Sequence, residues 1–150
     1  MSDFHRSLSE LRRILQFRDR DRICCYGVSV TQSHVLDAIA VKGELSLNDV
    51  AAQLYVDKST ASRSVKVLEE KGLIRRRRDA GDARAIVLEL TAAGQKVQEK
   101  IEEECKDEER QLLNGFDPAA RRAITEFVRR LTAAASCGVE TTGGSCCRID

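Results

Sequence analysis

The six cysteines carry the most reactive chemistry of this 150-residue sequence. They form two adjacent pairs and two single positions: Cys24 with Cys25, Cys146 with Cys147, and the isolated Cys105 and Cys137. Thiolates are soft ligands that suit copper(I), mercury or a trivalent metalloid such as arsenite. The same thiols can instead be oxidised by peroxide or attacked by an electrophile. The four paired cysteines are therefore the candidate effector site, and the single ones are interpreted as packing or surface residues.

The residues around the pairs differ. Three arginines precede the first pair, and local positive charge favours the thiolate: Arg18, Arg20 and Arg22. The second pair follows two glycines near the end of the sequence, in a segment that could fold back onto the first. The alternative is that Cys24 and Cys25 are small buried hydrophobic residues and that the other pair is incidental.

Other chemistry is poorly supported. There is no CxxC motif, and only His5 and His34 are available to assist, so a structural zinc site is not expected. No glycine-rich nucleotide-binding loop and no nucleophile–base arrangement are evident. The sequence thus predicts a protein that is not an enzyme and requires no cofactor, apart from a thiolate-bound soft metal or metalloid acting as effector.

The net charge of +1, from 25 basic and 24 acidic residues, hides two opposite blocks. Residues 58–84 carry nine basic and four acidic side chains, a net charge of +5. Residues 98–109 carry seven acids and two lysines, a net charge of −5. A solvated surface is the plain explanation of such runs, but a basic block can also bind a polyanion. The acidic block is interpreted as a solvated helix face.

The hydrophobic spacing predicts which elements carry these residues. Apolar residues at helical spacing predict a helix over about 4–22 and a second one capped by Thr31. A short third helix begins after Ser46. The fourth runs from Lys58 to Lys71 behind an Asp57 cap. Its inward side chains are Ala61, Val65 and Leu68.

The spacing of the apolar residues changes after this helix. Residues 73–78 and 85–90 are strand-like and flank a loop containing Gly81, which predicts a β-hairpin. Thr91 caps a long helix that ends near Leu113, and Asp117 caps the last one. No apolar run is long enough to span a membrane, and no secretory signal is evident, so a soluble, cytoplasmic, single-domain protein is expected.

Helix, short helix, turn, helix and hairpin follow one another in the order of a winged helix-turn-helix. Over DKSTASRSVKVLEEKGLIRRRRDAGDARAIVLELTAAG, from Asp57 to Gly94, the chain strongly resembles the MarR family of bacterial transcription regulators. Asp82-Ala83-Arg84, Leu90-Thr91 and Gly94 match the family's wing pattern, an Asp-x-Arg followed by Leu-Thr-x-x-Gly. The resemblance covers about residues 5–135.

The resemblance implies a mainly α fold with a small β-hairpin, formed by a single domain over residues 1–135. Within it we expect the DNA-binding winged helix at about 31–91 and the dimerisation helices at about 4–22 and 91–135. Residues 136–150 are predicted to be a flexible, cysteine-containing tail.

The expected partner is double-stranded DNA. A helix fits the major groove and presents its N-terminal residues to the base edges, and phosphate contacts position the protein. The fourth helix would use small polar or basic side chains there: Lys58, Ser59, Thr60, Ser62, Arg63 and Lys66. The wing would add Arg75, Arg77, Asp82 and Arg84, with Asp82 holding Arg84, as the resemblance implies. The alternative for this helix is a capped surface helix with a hydroxyl-rich first turn.

The family resembled acts as a homodimer, which implies a pseudo-palindromic operator. The predicted interface is apolar: Leu8, Leu11, Leu15, Ile124, Phe127, Val128 and Leu131. A dimeric repressor released from DNA by a thiol-directed signal is the leading hypothesis. Release by oxidants, electrophiles or a phenolic ligand bound between the two regions is the alternative. A protein-interaction module that has lost DNA binding is the competing class.

Overall fold

The computed structural model describes residues 2–82 and 84–141, and this part of the chain forms six α-helices and a two-stranded hairpin. In chain order the elements are α1 (Asp3–Ile23), α2 (Val30–Lys42), α3 (Leu47–Gln53), α4 (Lys58–Glu70), β1 (Ile74–Arg78), β2 (Ile86–Leu90), α5 (Ala92–Leu113) and α6 (Pro118–Thr141). A single 3₁₀ turn, Cys24–Tyr26, joins α1 to α2. The predicted mainly α class with one hairpin is confirmed. None of the described helices is long and apolar enough to cross a bilayer.

Short polar side chains begin the helices where the sequence predicts them. Asp57 caps α4, Thr91 caps α5, and Ser46 forms a capping box with Asp49 at the start of α3. The Asp117 carboxylate accepts hydrogen bonds from two backbone N–H groups just after Pro118. These caps satisfy N–H groups that have no partner within the first turn of a helix.

The predicted cap of α2 is wrong by two residues. The hydroxyl of Ser29, rather than that of Thr31, accepts a hydrogen bond from the backbone N–H of Gln32. The Gln32 side chain in turn accepts from the Ser29 N–H, at 3.1 Å. This reciprocal capping box stabilises the earlier start.

The core lies where α2, α3, α4 and the hairpin meet. Its fully buried side chains are Val35, Leu36 and Ile39 of α2, Val50 of α3, Ala61, Val65 and Leu68 of α4, and Ile74 and Leu88 of the strands. The three inward positions predicted for α4 are thus confirmed. Since they fix the rotation of α4, the opposite face of this helix points to solvent.

The hairpin is antiparallel, and its register runs from Ile74 opposite Leu90 to Arg78 opposite Ile86. Leu45 adds a bridge to the outer side of β2 through two backbone hydrogen bonds with Leu88. Alternation along β1 puts the first and third arginines on one face and the second and fourth on the other. Each face of this short sheet therefore carries two of the four arginines.

The junction of hairpin and α5 explains the Leu-Thr-x-x-Gly pattern. The Thr91 hydroxyl donates to the carbonyl of Gly72 and accepts from the N–H of Gly94. The first turn of α5 then approaches the backbone of Leu73 so closely that a Cβ on Gly94 would lie 1.9 Å from that carbonyl oxygen. Only glycine fits there.

The outer helices leave apolar side chains uncovered. Leu8, Leu11, Leu15, Phe127 and Val128 are each at least 37% exposed, whereas Ile124 and Leu131 are half-buried. The last helix also runs to Thr141, so it includes residues 136–141, which were predicted to belong to the tail. The Ser136 hydroxyl bonds back to the carbonyl of Thr132, so this serine fits inside the helix. Residues 142–150 lie outside the described part of the chain.

Candidate DNA-binding interface

The N-terminus of α4 is organised by its cap, Asp57. The carboxylate accepts hydrogen bonds from the backbone N–H of Thr60 and from the hydroxyls of Ser59 and Thr60, at 2.5–2.8 Å. These bonds favour the ionised form and hold the pKa of Asp57 far below its usual value. Both hydroxyl hydrogens are thereby directed at the cap, which leaves the hydroxyl oxygens as acceptors. Ser59 and Thr60, predicted to contact phosphates or bases, therefore suit a base amino group better than a phosphate.

The solvent face of α4 carries the predicted basic side chains. Lys58, Arg63 and Lys66 are exposed, and Ser62 is half-buried beside them. One nitrogen of the Arg63 guanidinium donates to the Thr60 hydroxyl, at 3.2 Å. That bond leaves donors of the guanidinium available for the two acceptors on a guanine edge. Lys66 lies 3.9 Å from Glu70, a loose exposed pair. This face is the right size and polarity for a major groove.

The wing arginines are paired more than the sequence suggests. Glu89 accepts from both Arg75 and Arg77, with Nε–Oε distances of 2.5 and 3.2 Å. Arg77 also pairs with Glu44 from the segment before α3. On the other face, Arg76 pairs with Glu69 of α4, at 3.0 Å. Two of the predicted DNA contacts, Arg75 and Arg77, thus already have carboxylate partners.

The wing tip is shaped by two aspartates. Asp79 accepts from the backbone N–H groups of Gly81 and Asp82, and Asp82 accepts from the backbone N–H of Arg84, at 2.9 Å. The expected bond from Asp82 to the Arg84 side chain is replaced by this backbone bond. Asp82 therefore fixes the loop rather than the guanidinium.

Arg78 is a further candidate DNA contact that the sequence did not single out. It is exposed at the end of β1, next to the tip, and no carboxylate in the described part of the chain pairs with it or with Arg84. The alternation of the four arginines placed Arg78 on the face of Arg76, but only the structure separates the paired arginines from the unpaired ones.

The first cysteine pair is exposed, which excludes the buried alternative. Both thiols point at the carbonyl oxygen of Asp21, which lies 2.9 Å from the sulfur of Cys24 and 3.7 Å from that of Cys25. The neighbouring Cys24 sulfur, followed by slight desolvation and the acids Asp21 and Glu104, raises the pKa of Cys25. The predicted activation of this thiol by nearby arginines is therefore wrong.

Two of the three arginines near this pair have other contacts. Arg18 lies 3.3 Å from Glu108 of α5, and Arg20 stacks on the ring of Phe17. No cluster of three histidines, cysteines or acids suited to a metal ion occurs among the described residues. Cys105 is exposed on α5. The side chain of Cys137 and the pair Cys146 and Cys147 lie outside the described residues, so their convergence with Cys24 stays a prediction.

A cavity of about 230 Å³ lies between α1, α2 and α5, on the boundary of the two regions. Gln98 lines it and is only 3% exposed. The side-chain nitrogen of Gln98 donates to Asp37, at 3.0 Å, while its Oε1 atom has no hydrogen-bond partner in the described structure. Asp19, Asp37 and Glu102 give the lining an acidic character. A buried acceptor without a donor favours binding of a ligand that carries an O–H or N–H group.

Comparisons with known proteins agree on the family. A family model described as MarR matches residues 26–85. YdgJ of Bacillus subtilis, named as an uncharacterized HTH-type transcriptional regulator, is 29% identical over 71% of this chain and 65% of its own length. MdtR of the same organism, named as an HTH-type transcriptional repressor, is 32% identical over 63% of this chain and 61% of its own. The matches therefore span less than two thirds of either relative.

The fold agrees as well. The crystal structure of a MarR transcriptional regulator from Methanosarcina mazei superposes with a TM-score of 0.76, at 24% identity, over 88% of this chain and 95% of that one. The winged helix-turn-helix order is thus confirmed by structure, and members of this family are regulators rather than enzymes. The matching model, the relatives and the fold together support a MarR-family winged-helix regulator.

Proposed function

We propose that this protein is a cytoplasmic transcriptional regulator that binds double-stranded DNA through α4 and the wing. The observation that carries the proposal is the exposed face of α4, where Lys58, Arg63 and Lys66 surround small polar side chains. The core contacts of the opposite face hold this surface outward. Arg78 and Arg84, which have no carboxylate partner among the described residues, extend it to the wing tip. A capped surface helix alone does not explain why this hairpin adds further basic groups beside it.

The test is equilibrium binding to a duplex selected by the protein from a randomised library. Arg63→Ala should weaken binding by roughly 1–3 kcal/mol and relax the preference at one base pair. Arg122→Ala, which removes the same charge from an exposed position on α6, is the control. Equal effects of the two substitutions would contradict the assignment. No binding to duplex DNA, even at low salt, would instead favour the interaction-module alternative.

The active form is proposed to be a homodimer bound to a pseudo-palindromic operator. The support is the apolar surface of α1 and α6, whose exposed side chains exceed what a monomer ordinarily leaves in water. A two-fold dimer would bury this surface and place two recognition helices on successive major-groove turns. Leu11→Glu with Phe127→Glu should give a folded monomer in sedimentation equilibrium and abolish operator binding. A dimeric double variant would contradict this interface.

The regulatory mode is proposed to be repression relieved by a thiol-directed signal, with a soft metal or metalloid such as arsenite as the leading effector. The exposure of Cys24 and Cys25 supports this choice, because an effector can reach both sulfurs. Repression agrees with the name of the relative MdtR. Effector binding relieves repression only if the effector binds more tightly to the state that releases DNA.

The experiment compares operator binding by wild type, Cys24→Ser, Cys25→Ser and a variant ending at residue 141, each with arsenite and with peroxide. Wild type alone should respond fully if the paired thiols sense the signal. Response to peroxide instead of arsenite would favour oxidant sensing. Identical responses by all four proteins would exclude the paired cysteines and leave an organic ligand as the effector.

A phenolic ligand in the cavity beside Gln98 is the second candidate. The unsatisfied Oε1 of Gln98 needs a donor, and a phenol O–H supplies one. Because the lining is acidic, we expect neutral phenols to bind better than hydroxybenzoates. Gln98→Leu should remove the thermal stabilisation that phenol gives to the wild type. If phenol stabilises both proteins equally, it binds elsewhere.

A further inference from the structure

The turn that carries Cys24 and Cys25 is held at both ends. Ile23 and Val28, on either side of it, are buried in the core, and Gly27 ends the turn in the left-handed conformation. The two exposed sulfurs share one backbone acceptor, the carbonyl of Asp21, and so lie on the same side of the turn. A rigid turn that presents two adjacent thiols is suited to a ligand that binds both at once.

Two further contacts tie this turn to its neighbours, one to α5 and one to the end of α4 in the DNA-binding region. The hydroxyl of Tyr26 donates to Glu104 on α5. The ammonium group of Lys71, which directly follows the recognition helix α4, donates to the carbonyl of Gly27. The turn is therefore the place where α1, the end of α4 and the middle of α5 meet. A change in its backbone moves the acceptor that holds Lys71.

We propose that Cys24 and Cys25 of one protomer form a complete dithiol site for trivalent organoarsenicals, without Cys146 and Cys147, and that binding is passed to α4 through Lys71 and Gly27. This inference rests on the proposed thiol-regulated DNA binding and names its ligand class, its two ligating atoms and its route.

The chemistry balances without an oxidant. A monosubstituted arsenic(III) oxide, R–As=O, reacts with two thiols to form two arsenic–sulfur bonds and one water molecule. Both thiol protons leave in that water, and arsenic remains trivalent. The carbon substituent fills the third position, so no third protein ligand is needed, in agreement with the absence of a three-ligand cluster among the described residues.

The geometry of the pair favours this ligand over peroxide. Oxidation by peroxide would have to join the two sulfurs directly, and a disulfide between neighbouring residues is strained. Arsenical binding instead begins from protonated thiols and places the arsenic atom between the two sulfurs. The sulfurs can therefore stay farther apart than a direct S–S bond would allow.

Two variants separate the cysteine pairs, with phenylarsine oxide as the probe. In the first variant, serine replaces the other four cysteines: Cys105, Cys137, Cys146 and Cys147. In the second, serine replaces Cys24 and Cys25. Native mass spectrometry should find one phenylarsenic group on each protomer of the first variant, and its Kd for the selected duplex should rise about tenfold. The second variant should keep its DNA affinity unchanged by the probe.

Either of two results would overturn the proposal. One is that phenylarsine oxide releases the variant lacking Cys24 and Cys25 from DNA as it releases wild type. The other is that no phenylarsenic group is found on the variant that keeps only these two cysteines. Thermal unfolding of both variants, repeated with alanine in place of serine, shows whether either has lost its fold. Two results for the wild type would contradict the proposed regulated DNA binding itself: no binding to the duplex, or binding whose Kd does not change with any thiol reagent.

The route is tested with Lys71→Met and with Lys96→Met, an exposed lysine on α5, as the matched control. Lys71→Met should still bind one phenylarsenic group. Its Kd for DNA should change less than about threefold when phenylarsine oxide is bound, whereas the Kd of the control should change as in wild type. A full response by Lys71→Met would overturn the proposed route.

Discussion

The carboxylate of Glu89 lies directly across the hairpin from Arg75, with 2.5 Å between Oε1 and Nε, and its second oxygen accepts from Arg77. These bonds lower the pKa of Glu89, so it stays ionised well below neutral pH. An anion is thereby fixed within the basic wing. DNA phosphates would have to compete with it for the two guanidinium groups.

Glu89→Gln should therefore tighten DNA binding. The substitution keeps the shape of the side chain but removes the charge, which frees Arg75, leaves Arg77 with Glu44 as its one carboxylate partner among the described residues, and lowers the repulsion of phosphate. We expect the dependence of log Kd on log salt to steepen by roughly one unit. Fluorescence anisotropy with labelled duplex at several salt concentrations measures both effects.

Glu103→Gln is the matched control, because it removes one exposed acid from α5 far along the sequence from the wing. It should leave the slope unchanged. Weaker binding by Glu89→Gln would show that the paired arginines serve to stiffen the wing and that Glu89 assists DNA binding.

The unpaired wing arginines should carry more of the salt dependence than the paired ones. Arg84→Ala and Arg78→Ala should each lower the salt slope by roughly one unit. Arg76→Ala should lower it less, because Glu69 already neutralises Arg76 in the free protein. Operator binding that is unchanged in Arg84→Ala would remove the wing tip from the interface.

Local sequence was sufficient for the elements that depend on a few neighbouring residues. The caps Ser46, Asp57 and Thr91 and the inward face of α4 are set by spacing within one or two turns, and all were predicted correctly. The cap of α2 had a usable signal too, since Ser29 and Gln32 have the spacing of a capping box.

Contacts from distant parts of the chain account for what the sequence missed. Arg77 finds Glu44, 33 residues earlier, and Glu89, 12 residues later. Cys25 has arginines before it in sequence, yet the adjacent Cys24 chiefly raises its pKa, and Glu104 of α5 adds a smaller effect in the same direction. Charge counted along the chain predicted a basic wing and an activated thiol. Packing neutralised part of the wing, and the neighbouring sulfur outweighed the arginines at the thiol.

Acid should weaken the recognition helix through its cap. The folded-state pKa of Asp57 is lower than the usual 3.8, so its contribution to stability is present above that value and is lost as pH falls toward the folded-state pKa. Asp57→Asn keeps a good capping residue but cannot ionise. The wild type should have the higher urea midpoint at pH 7, and the difference should shrink below pH ~4. A difference that is constant from pH 7 to pH 3 would contradict the role of the charge.

Gly94→Ala should destabilise the junction between the hairpin and α5. The new Cβ would lie 1.9 Å from the carbonyl oxygen of Leu73, a backbone atom that cannot rotate away. Since α5 must then shift, we expect the free energy of unfolding to fall by roughly 2–3 kcal/mol, as in overpacked cores. Gly115→Ala is the control, because a Cβ there meets no atom within 4 Å, and its effect should stay within about 0.5 kcal/mol. Urea unfolding measures both. If the two variants are equally stable, α5 tolerates displacement from Leu73, and the glycine of the Leu-Thr-x-x-Gly pattern is not required by packing.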